Sequence, residues 1–200
     1  MLEVFADVWC PFAYVGLHMV KARRDARGLA ERLVVRAWPL ELINGSPMDV
    51  QKTAGHIRDL REQLGVDLFS GFNPETFPAS TLPALALVAA ATRVDRGEQA
   101  AFAVRASLFE DGRDIASNAF IADLERTLGV EVGPQDHKSV LDDWRDGATR
   151  GVKGSPHFFC GDQDVFCPSL SLKRDSDGHL QVLPDRDRLE AFLEACWPES

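Results

Sequence analysis

The residue with the clearest potential for chemistry is Cys10, which lies between a short apolar segment and a segment of helical composition. Pro11 follows it, and because proline is favoured at the first position of a helix, Cys10 is predicted at the helix N-cap. The unpaired amide N–H groups and the positive end of the helix dipole at such a position favour a thiolate over a thiol. We therefore expect Cys10 to be a nucleophile with a lowered pKa. The alternative is a small, buried and unreactive cysteine.

A second active-site cysteine is missing from this segment. A dithiol redox site needs one three positions after Cys10, and that position holds Ala13. Cys10 therefore cannot close a disulfide across the first helical turn. It must use a distant cysteine, rely on an external thiol, or stop at a mixed disulfide or at the binding of a thiolate.

Four side chains near Cys10 have two interpretations each. Asp7 is either an acid that moves protons or a cap for the loop after the first strand. Trp9 and Phe12 either form an apolar wall for a substrate or belong to the core. Tyr14 either donates a hydrogen bond at the site or is a core residue with a satisfied hydroxyl.

Composition and charge exclude several classes of function. The chain has 200 residues, of which 45% are hydrophobic and 26% charged, and its formal net charge is -9 at pH 7. This charge argues against nucleic acid, since phosphate recognition needs clustered Lys and Arg. No apolar run approaches the roughly 20 residues needed to cross a bilayer, and the chain begins without the features of a secretory signal. Four cysteines without a C-x-x-C pair or a zinc-type spacing favour a reducing cytoplasm and no metal site.

The other three cysteines lie in the last quarter of the chain. Cys160 and Cys167 fall on neighbouring strands of a predicted hairpin, where a suitable register would allow them to pair. The alternatives are two independent buried thiols, or a resolving role for Cys160. Cys196 is predicted on the inner face of the last helix.

The pattern of elements changes twice along the chain. The first part is predicted as a βαβ unit with parallel strands, the middle as helices separated by glycines, and the last part as α/β again. The predicted strands are Leu2–Ala6, Leu33–Trp38, His157–Cys160 and Val165–Cys167, with turns at Gly161–Asp164 and Asp175–Gly178. The predicted helices are Pro11–Arg27, Gln51–Leu64, Ala84–Arg93, Gln99–Glu110, Ser117–Leu128, Pro134–Gly147 and Asp185–Trp197.

Four stretches make the chain similar to the DsbA-like group of thioredoxin-fold proteins. It most resembles the branch of FrnE-type oxidoreductases, kappa-class glutathione transferases and 2-hydroxychromene-2-carboxylate isomerases, over nearly its whole length. Oxidoreductase members carry a dithiol such as C-P-W-C, whereas isomerase and transferase members usually carry serine at the position of Cys10. The four stretches are Asp7-Val8-Trp9-Cys10-Pro11 with Tyr14 and Gly16, Pro39-Leu40-Glu41-Leu42 with Asn44, Phe109-Glu110-Asp111-Gly112-Arg113-Asp114-Ile115, and Gly151-Val152-Lys153-Gly154-Ser155-Pro156.

The resemblance implies an α/β, thioredoxin-like fold with a large helical insertion between its βαβ and ββα halves. Residues 1–48 and 130–200 would form the thioredoxin-like domain, and residues 49–129 the insertion. Ser80 and Thr81 resemble a family position where small polar residues line the substrate cavity, and they are also predicted as a helix N-cap.

The resemblance further implies that Pro156 is cis and lies against the start of the first helix. Ser155 would then offer its backbone N–H and C=O to an extended peptide or to a thiol tripeptide. The environment of the thiolate would be formed by Pro11 to Ala13 together with Asp7, Trp9 and His157. His157 either stabilises the thiolate or points to the other face of its strand.

Three functions follow as hypotheses. The leading one is a cytoplasmic thiol-disulfide oxidoreductase, with disulfide isomerisation as a further activity, in which Cys10 acts with an external thiol such as glutathione or mycothiol. Its substrates would be disulfide-containing proteins or small molecules, with no tightly bound cofactor, and the resemblance allows for a homodimer. The second is a glutathione- or mycothiol-dependent transferase or isomerase of the kappa or 2-hydroxychromene-2-carboxylate isomerase type. The third is a non-catalytic thioredoxin-fold module that binds peptides.

Overall fold

A four-stranded mixed sheet forms the centre of the fold, in the order β2-β1-β3-β4. The computed structural model describes residues 1–176 and 179–197. The β1 and β2 strands are parallel, and β3 is antiparallel to both β1 and β4. This order joins the first and last thirds of the chain in one sheet, as predicted. The strands are β1 (Leu2–Ala6), β2 (Leu33–Ala37), β3 (His157–Cys160) and β4 (Gln163–Phe166).

Helices connect and cover these strands. The first, α1 (Pro11–Ala26), links β1 to β2 and begins at the predicted proline. The others are α2 (Leu40–Asn44), α3 (Val50–Leu64), α4 (Leu82–Thr92), α5 (Gly97–Phe109), α6 (Asn118–Leu128), α7 (Pro134–Thr149) and α8 (Arg186–Cys196), with a short 3-10 helix at Pro74–Thr76.

The two faces of the sheet bury different side chains. Phe159 and Trp38 belong to an aromatic cluster on one face, where α7 packs so closely that a Cβ on Gly147 would lie 2.6 Å from the Trp38 ring. Phe158 lies on the opposite face, where its ring centroid is 6.3 Å from that of Phe192 in α8. Alternation along β3 therefore assigns successive side chains to different layers.

The middle third of the chain is helical, as predicted. The α4 helix packs against α7, and α5 packs against β2. Buried residues of α4 and α5, including Leu87 and Val104, belong to the same core cluster as Val4 of β1. A division at residues 49 and 129 stays a prediction, because the apolar core runs across both positions.

The edge strand β2 is held at both of its ends by carboxylates from other elements. The backbone N–H of Leu33 donates to Glu98 of α5, and that of Ala37 donates to Asp143 of α7, both at 2.9 Å. The Arg36 side chain also pairs with Asp143. The helices on this side are therefore attached to the sheet by polar as well as apolar contacts.

A second, two-stranded sheet follows β4 and is absent from the predicted elements. It consists of β5 (Leu170–Arg174) and β6 (Leu180–Pro184), which pair antiparallel. Only Val182 of β6 is fully buried, so its sequence shows little of the apolar alternation that identifies a strand. The predicted turn over Asp175–Gly178 lies between the two strands, although residues 177 and 178 fall outside the described part of the chain.

Other boundaries shift by a few residues. The β4 strand begins at Gln163 rather than Val165, because the hairpin turn is shorter than predicted and Asp164 already pairs with Phe159. The α7 helix continues past Gly147 to Thr149. The short α2 helix is also absent from the predicted elements. Among the described residues, no helix has both the length and the apolar character needed to cross a membrane.

Candidate functional site

Cys10 occupies the N-cap of α1, as predicted. Its backbone is extended, with φ -80° and ψ 111°, and Pro11 begins the helix. Only 4% of the residue is exposed. The Sγ atom donates a hydrogen bond to the carbonyl oxygen of Ser155 at 3.1 Å. The thiol therefore lies between the start of α1 and the loop before β3.

The expected lowering of the Cys10 pKa is wrong in direction. Burial raises the pKa of this thiol, and the negative charge of Asp7 raises it further. The amide N–H groups of Ala13 and Phe12 and the contact with Ser155 lower the pKa, as helix-start geometry predicts, but they do not offset the loss of solvent. The sequence indicates the helix start and gives no measure of how deeply the sulfur is buried.

The loop before β3 is fixed against both β1 and α1. The Ser155–Pro156 peptide bond is cis. The backbone N–H of Asp7 donates to the Ser155 hydroxyl at 2.9 Å. A Cβ on Gly16 would lie 3.3 Å from the Pro156 ring, so this glycine allows α1 to approach the loop closely.

Asp7 is fully buried and combines features of both of its interpretations. Its carboxylate accepts hydrogen bonds from the backbone N–H groups of Val8 at 2.7 Å and Leu40 at 2.5 Å, so it caps the end of β1 and the start of α2. Burial nevertheless raises its pKa to about 6. Asp7 is thus a structural cap that can also change charge near neutral pH.

Arg105 is a buried cation beside this site that sequence reasoning missed. It is fully buried in α5, and its guanidinium donates to the backbone oxygens of Asp7 at 3.1 Å, Ala6 at 3.4 Å and Ala101 at 2.8 Å. Burial lowers its pKa to about 10, while the charges of Asp7 and Cys10 oppose that shift. Its one signal in the sequence is an arginine in an otherwise apolar helix segment.

Ser80 and Thr81 bind a second carboxylate, that of Glu41, for which no role was predicted from the sequence. Both hydroxyls and the Thr81 N–H donate to one oxygen of Glu41, at 2.9, 3.2 and 2.7 Å. The Thr81 hydroxyl also lies within hydrogen-bonding reach of Asp7. Thr81 is the N-cap residue of α4 by position, but the Leu82 N–H donates to Ser80 instead. This pair links the insertion to the buried carboxylate beside Cys10.

The aromatic residues next to Cys10 differ in their burial. Trp9 is fully buried and stacks on Phe77, with ring centroids 5.6 Å apart. Phe12 is partly exposed and lies 5.1 Å from the His56 ring. Trp9 therefore belongs to the core, and Phe12 is the one that presents an apolar surface beside the helix start.

Tyr14 is a core residue whose hydroxyl is satisfied. Its ring stacks on Phe109 at 5.0 Å, and its hydroxyl hydrogen-bonds to Glu110. Burial is the main cause of its raised pKa. The side chain is thus directed to the end of α5, and its predicted contact with substrate or thiol stays a prediction without a structural contact to support it.

His157 lies on the face of the sheet away from Cys10, so its expected place beside the thiolate is wrong. It pairs with Phe5 and Phe166 across the strands, on the face that α7 covers. Its Nδ1 accepts from the Lys153 N–H at 3.1 Å, and its Nε2 is 2.9 Å from an Asp164 oxygen. Alternation along β3 directs Phe158, not His157, to the face of α1 and α8.

The hairpin register separates Cys160 from Cys167. Cys160 pairs with Gln163 at the turn, whereas Cys167 follows β4 and donates its N–H to Pro156 at 2.9 Å. A bond between these two cysteines is therefore ruled out. Cys160 instead has Cys196 as its neighbour, close enough to raise the pKa of the Cys196 thiol.

Residues 1–176 and 179–197 contain no cluster of three or more His, Cys, Asp or Glu side chains placed to hold a metal ion. The chemistry available at Cys10 is that of a thiol at a helix N-terminus, with a titratable carboxylate and a buried guanidinium close by.

Comparison with known proteins identifies the family whose sequence pattern this chain matches. The model of the DSBA-like thioredoxin domain matches residues 1–195. No curated protein sequence matches the chain significantly.

Solved structures share the fold. The cytosolic disulfide reductase DsbM from Pseudomonas aeruginosa with GSH is 19% identical over 97% of each chain, with a TM-score of 0.66. A protein from Streptomyces coelicolor described as a probable DsbA oxidoreductase is 19% identical, over 100% of this chain and 90% of its own, with a TM-score of 0.66. A 2-hydroxychromene-2-carboxylate isomerase is 14% identical, over 97% and 93%, with a TM-score of 0.63. At these identities the likeness establishes the thioredoxin-like fold.

Proposed function

This chain belongs to the family of DSBA-like thioredoxin domains, and from that membership we propose that it is a thiol-disulfide oxidoreductase that acts through Cys10. The observation that carries the proposal is the position of the Cys10 thiol at the N-terminus of α1, 3.1 Å from the Ser155 carbonyl and next to Pro156. A nucleophilic sulfur and a loop with backbone hydrogen-bonding groups are thereby next to each other, as disulfide exchange on an extended substrate requires.

The proposed reaction begins when the Cys10 thiol loses its proton and attacks one sulfur of a substrate disulfide. The substrate S–S bond breaks, a mixed disulfide forms at Cys10, and the other substrate sulfur leaves as a thiolate that takes up a proton. One molecule of a low-molecular-weight thiol, glutathione or mycothiol, then attacks the Cys10 sulfur, and the bound substrate sulfur leaves as a thiol. A second molecule attacks the resulting mixed disulfide between Cys10 and the small thiol, which returns Cys10 to the thiol and forms the disulfide of the small thiol. The solved structure of the related DsbM with GSH supports a glutathione co-substrate.

Buried charges near Cys10 set its reactivity. Because burial raises the pKa of the thiol above its ordinary value of 9.0, only a small part of it is ionised at neutral pH. Asp7, with a pKa of about 6, is ionised at pH 7 and is the nearby group able to accept a proton. Reaction rates should therefore continue to rise with pH through 8.

The same burial favours a second candidate function. A thiol that stays protonated can donate a hydrogen bond to the thiolate of a bound glutathione rather than attack a disulfide, which is the role of the serine found there in isomerase and transferase relatives. In that mechanism the start of α1 stabilises the cofactor thiolate. Ser80 and Thr81 belong to the helical insertion, at the position where the family resemblance implies a substrate cavity. The reaction would be a glutathione- or mycothiol-dependent transfer or isomerisation.

Replacement of Cys10 separates the two candidates. Cys10→Ser should abolish glutathione-dependent reduction of a mixed-disulfide peptide if the sulfur is the nucleophile, because a serine hydroxyl cannot form the mixed disulfide. Cys196→Ser is the matched control, since it removes a half-buried thiol that lies beside Cys160, at the other end of β3 from the Ser155–Pro156 loop, and should leave the rate unchanged. Retention of most activity in Cys10→Ser would refute the oxidoreductase mechanism and favour the transferase or isomerase.

We further place this activity in the cytoplasm, in keeping with the cytosolic description of DsbM. Disulfide-containing proteins or small molecules would be its substrates. The formation of a homodimer, which the family resemblance allows, stays a prediction.

A further inference from the structure

We propose that Cys167 is the resolving thiol of this site and that it forms an internal disulfide with Cys10. The inference rests on the proposed oxidoreductase function. Because Ala13 occupies the position where a dithiol site has its second cysteine, the second sulfur has to come from elsewhere in the chain. Both sulfur-bearing residues are 4% exposed.

The two cysteines contact consecutive residues of one loop. The Cys10 thiol donates to the carbonyl of Ser155 at 3.1 Å, and the Cys167 N–H donates to the carbonyl of Pro156 at 2.9 Å. In the β3–β4 register, His157 pairs with Phe166, so the next pair along the ladder sets Cys167 opposite Pro156. Cys167 is thus directly opposite Pro156, and Pro156 follows Ser155, the residue that Cys10 contacts.

The segment that contains Cys167 also runs beside α1. The position where a Cβ would extend from Gly16 is 3.3 Å from the Pro156 ring and 3.8 Å from the Ser169 hydroxyl. Pro156 and the residues just after Cys167 therefore face the same side of the helix that Cys10 begins. The electrostatics agree, because burial raises the pKa of Cys167 to about 12 and the negative charge of Cys10 contributes to that rise.

The backbone of Cys167 is unusual for its residue type. Its φ is +47°, in the left-handed region that favours glycine. Residues held in this region tend to cluster at functional sites, where the surrounding structure fixes them. Here the hydrogen bond to Pro156 and the bond from the Leu170 N–H to the Cys167 carbonyl hold the residue on both sides.

The two remaining cysteines are excluded by position. Cys160 lies at the turn end of β3, opposite Gln163, and its neighbouring thiol is that of Cys196 in α8. Among the cysteines of the described residues, only Cys167 is near both the Pro156 loop and Cys10. An internal attack also suits a buried mixed disulfide, since a thiol held in place reacts without having to enter from solvent.

The resolving step balances without a further reagent. Cys167 Sγ attacks Cys10 Sγ, the bond from Cys10 to the substrate sulfur breaks, and that sulfur leaves with the proton of Cys167. The substrate disulfide has then become two thiols, and the protein has lost two electrons as the Cys10–Cys167 disulfide. Two molecules of a low-molecular-weight thiol reduce that bond and become one molecule of their disulfide.

Disulfide mapping of the intact protein tests the inference. The full chain is treated with oxidised glutathione, its free thiols are blocked, and the peptides are analysed by mass spectrometry without reduction. Trypsin leaves Cys160 and Cys167 on one peptide, since no Lys or Arg lies between Lys153 and Lys173, so a second cleavage before Asp162 or Asp164 is required. The expected product is a peptide that joins Cys10 to Cys167.

Variants show which sulfur resolves the mixed disulfide. In Cys167→Ser we expect one glutathione per chain to accumulate on Cys10, whereas Cys160→Ser should give the same internal disulfide as the wild-type chain. Cys167→Ala provides the same readout if the serine variant does not fold. Wild-type protein that stops at glutathionylated Cys10, or that forms only a Cys160–Cys196 bond, would overturn the inference.

Failure of this inference is distinguishable from failure of the proposed function. If Cys10→Ser is inactive while the wild-type chain and Cys167→Ser both stop at the mixed disulfide, Cys10 is still the nucleophile and only the resolving role is lost. If Cys10→Ser remains active and Cys10 takes up no glutathione, the oxidoreductase function itself is lost.

Discussion

At Asp7, burial and the neighbouring polar groups have opposite effects on the pKa of the carboxylate. Its carboxylate is fully buried and accepts two backbone hydrogen bonds, yet its pKa is raised to about 6 because loss of solvent outweighs those bonds and the nearby Arg105. Between its ordinary value of 3.8 and about 6, the folded chain therefore holds a proton at Asp7 that the unfolded chain has lost.

This shift predicts a loss of stability as pH rises. The contribution of Asp7 is fully present below pH 3.8 and disappears as pH increases through about 6. From pH 4.5 to 7.5 the free energy of unfolding of the wild-type chain should fall by about 2 kcal/mol relative to that of Asp7→Asn. Urea unfolding of both proteins at several pH values measures this difference.

Asp7→Asn also controls for the other groups that titrate between pH 4.5 and 7.5. His18, His56 and His157 have pKa values that burial lowers, so they change stability with pH in the opposite direction. They are present in both proteins, and their effect cancels in the comparison. Parallel stability profiles for wild type and Asp7→Asn would show that Asp7 does not titrate in this range.

At the scale of residues, the sequence predicted positions better than environments. The Cys10 N-cap and its neighbouring proline follow from local pattern, and the structure has both. The raised pKa of Cys10 and the burial of Arg105 depend on atoms brought in from distant parts of the chain. No local pattern carries that information, which is also why the orientation of His157 stayed open.

The contact between α7 and the sheet depends on a residue without a side chain. A Cβ on Gly147 would lie 2.6 Å from the Trp38 ring and 3.0 Å from the Phe5 ring. Gly147→Ala should therefore destabilise the protein by about 1–3 kcal/mol, the usual cost of overpacking. Thermal and urea unfolding measure the change.

Gly55 in α3 is the matched glycine for this comparison. A Cβ on Gly55 would have the Arg58 Nη2 as its nearest neighbour, at 3.9 Å, and the residue is inside a helix. Gly55→Ala should stabilise the chain by about 0.5–1 kcal/mol through the higher helix propensity of alanine. Equal effects of the two substitutions would contradict the close packing assigned to α7.

At the scale of elements, helices and strands were predicted correctly where the apolar residues are strongly periodic and the end residues are typical of helix or strand termini. The β1–α1–β2 unit and α8 have buried apolar faces and defined end residues, and both lie within a residue or two of their predicted bounds. The β5–β6 hairpin was missed because its strands are mostly exposed. Such strands are stabilised by pairing with each other, which leaves little trace in either sequence alone.

At the scale of the molecule, the insertion and the thioredoxin-like part share one core. Arg24 of α1 pairs with Glu98 of α5 at 2.8 Å, and Arg105 of α5 binds the end of β1. Unfolding of the helices alone would leave these buried groups without partners. We therefore expect the whole chain to unfold in one cooperative transition.

Two optical probes test this cooperativity. Trp9 stacks on Phe77 at the boundary with the insertion, while Trp38 and Trp144 report on the α7 face of the sheet. Tryptophan fluorescence and far-ultraviolet circular dichroism should give the same urea midpoint. Separate midpoints would show that the insertion unfolds on its own.

The carboxylates at the ends of β2 have a consequence for how copies of this protein meet. An open sheet edge with free N–H groups is a template onto which a strand of another chain can add, and this is a common route to aggregation. On β2 the outward donors of Leu33 and Ala37 are already occupied by Glu98 and Asp143. Growth of the sheet through this edge would first have to displace two charged acceptors anchored in packed helices, so the edge is protected against strand addition.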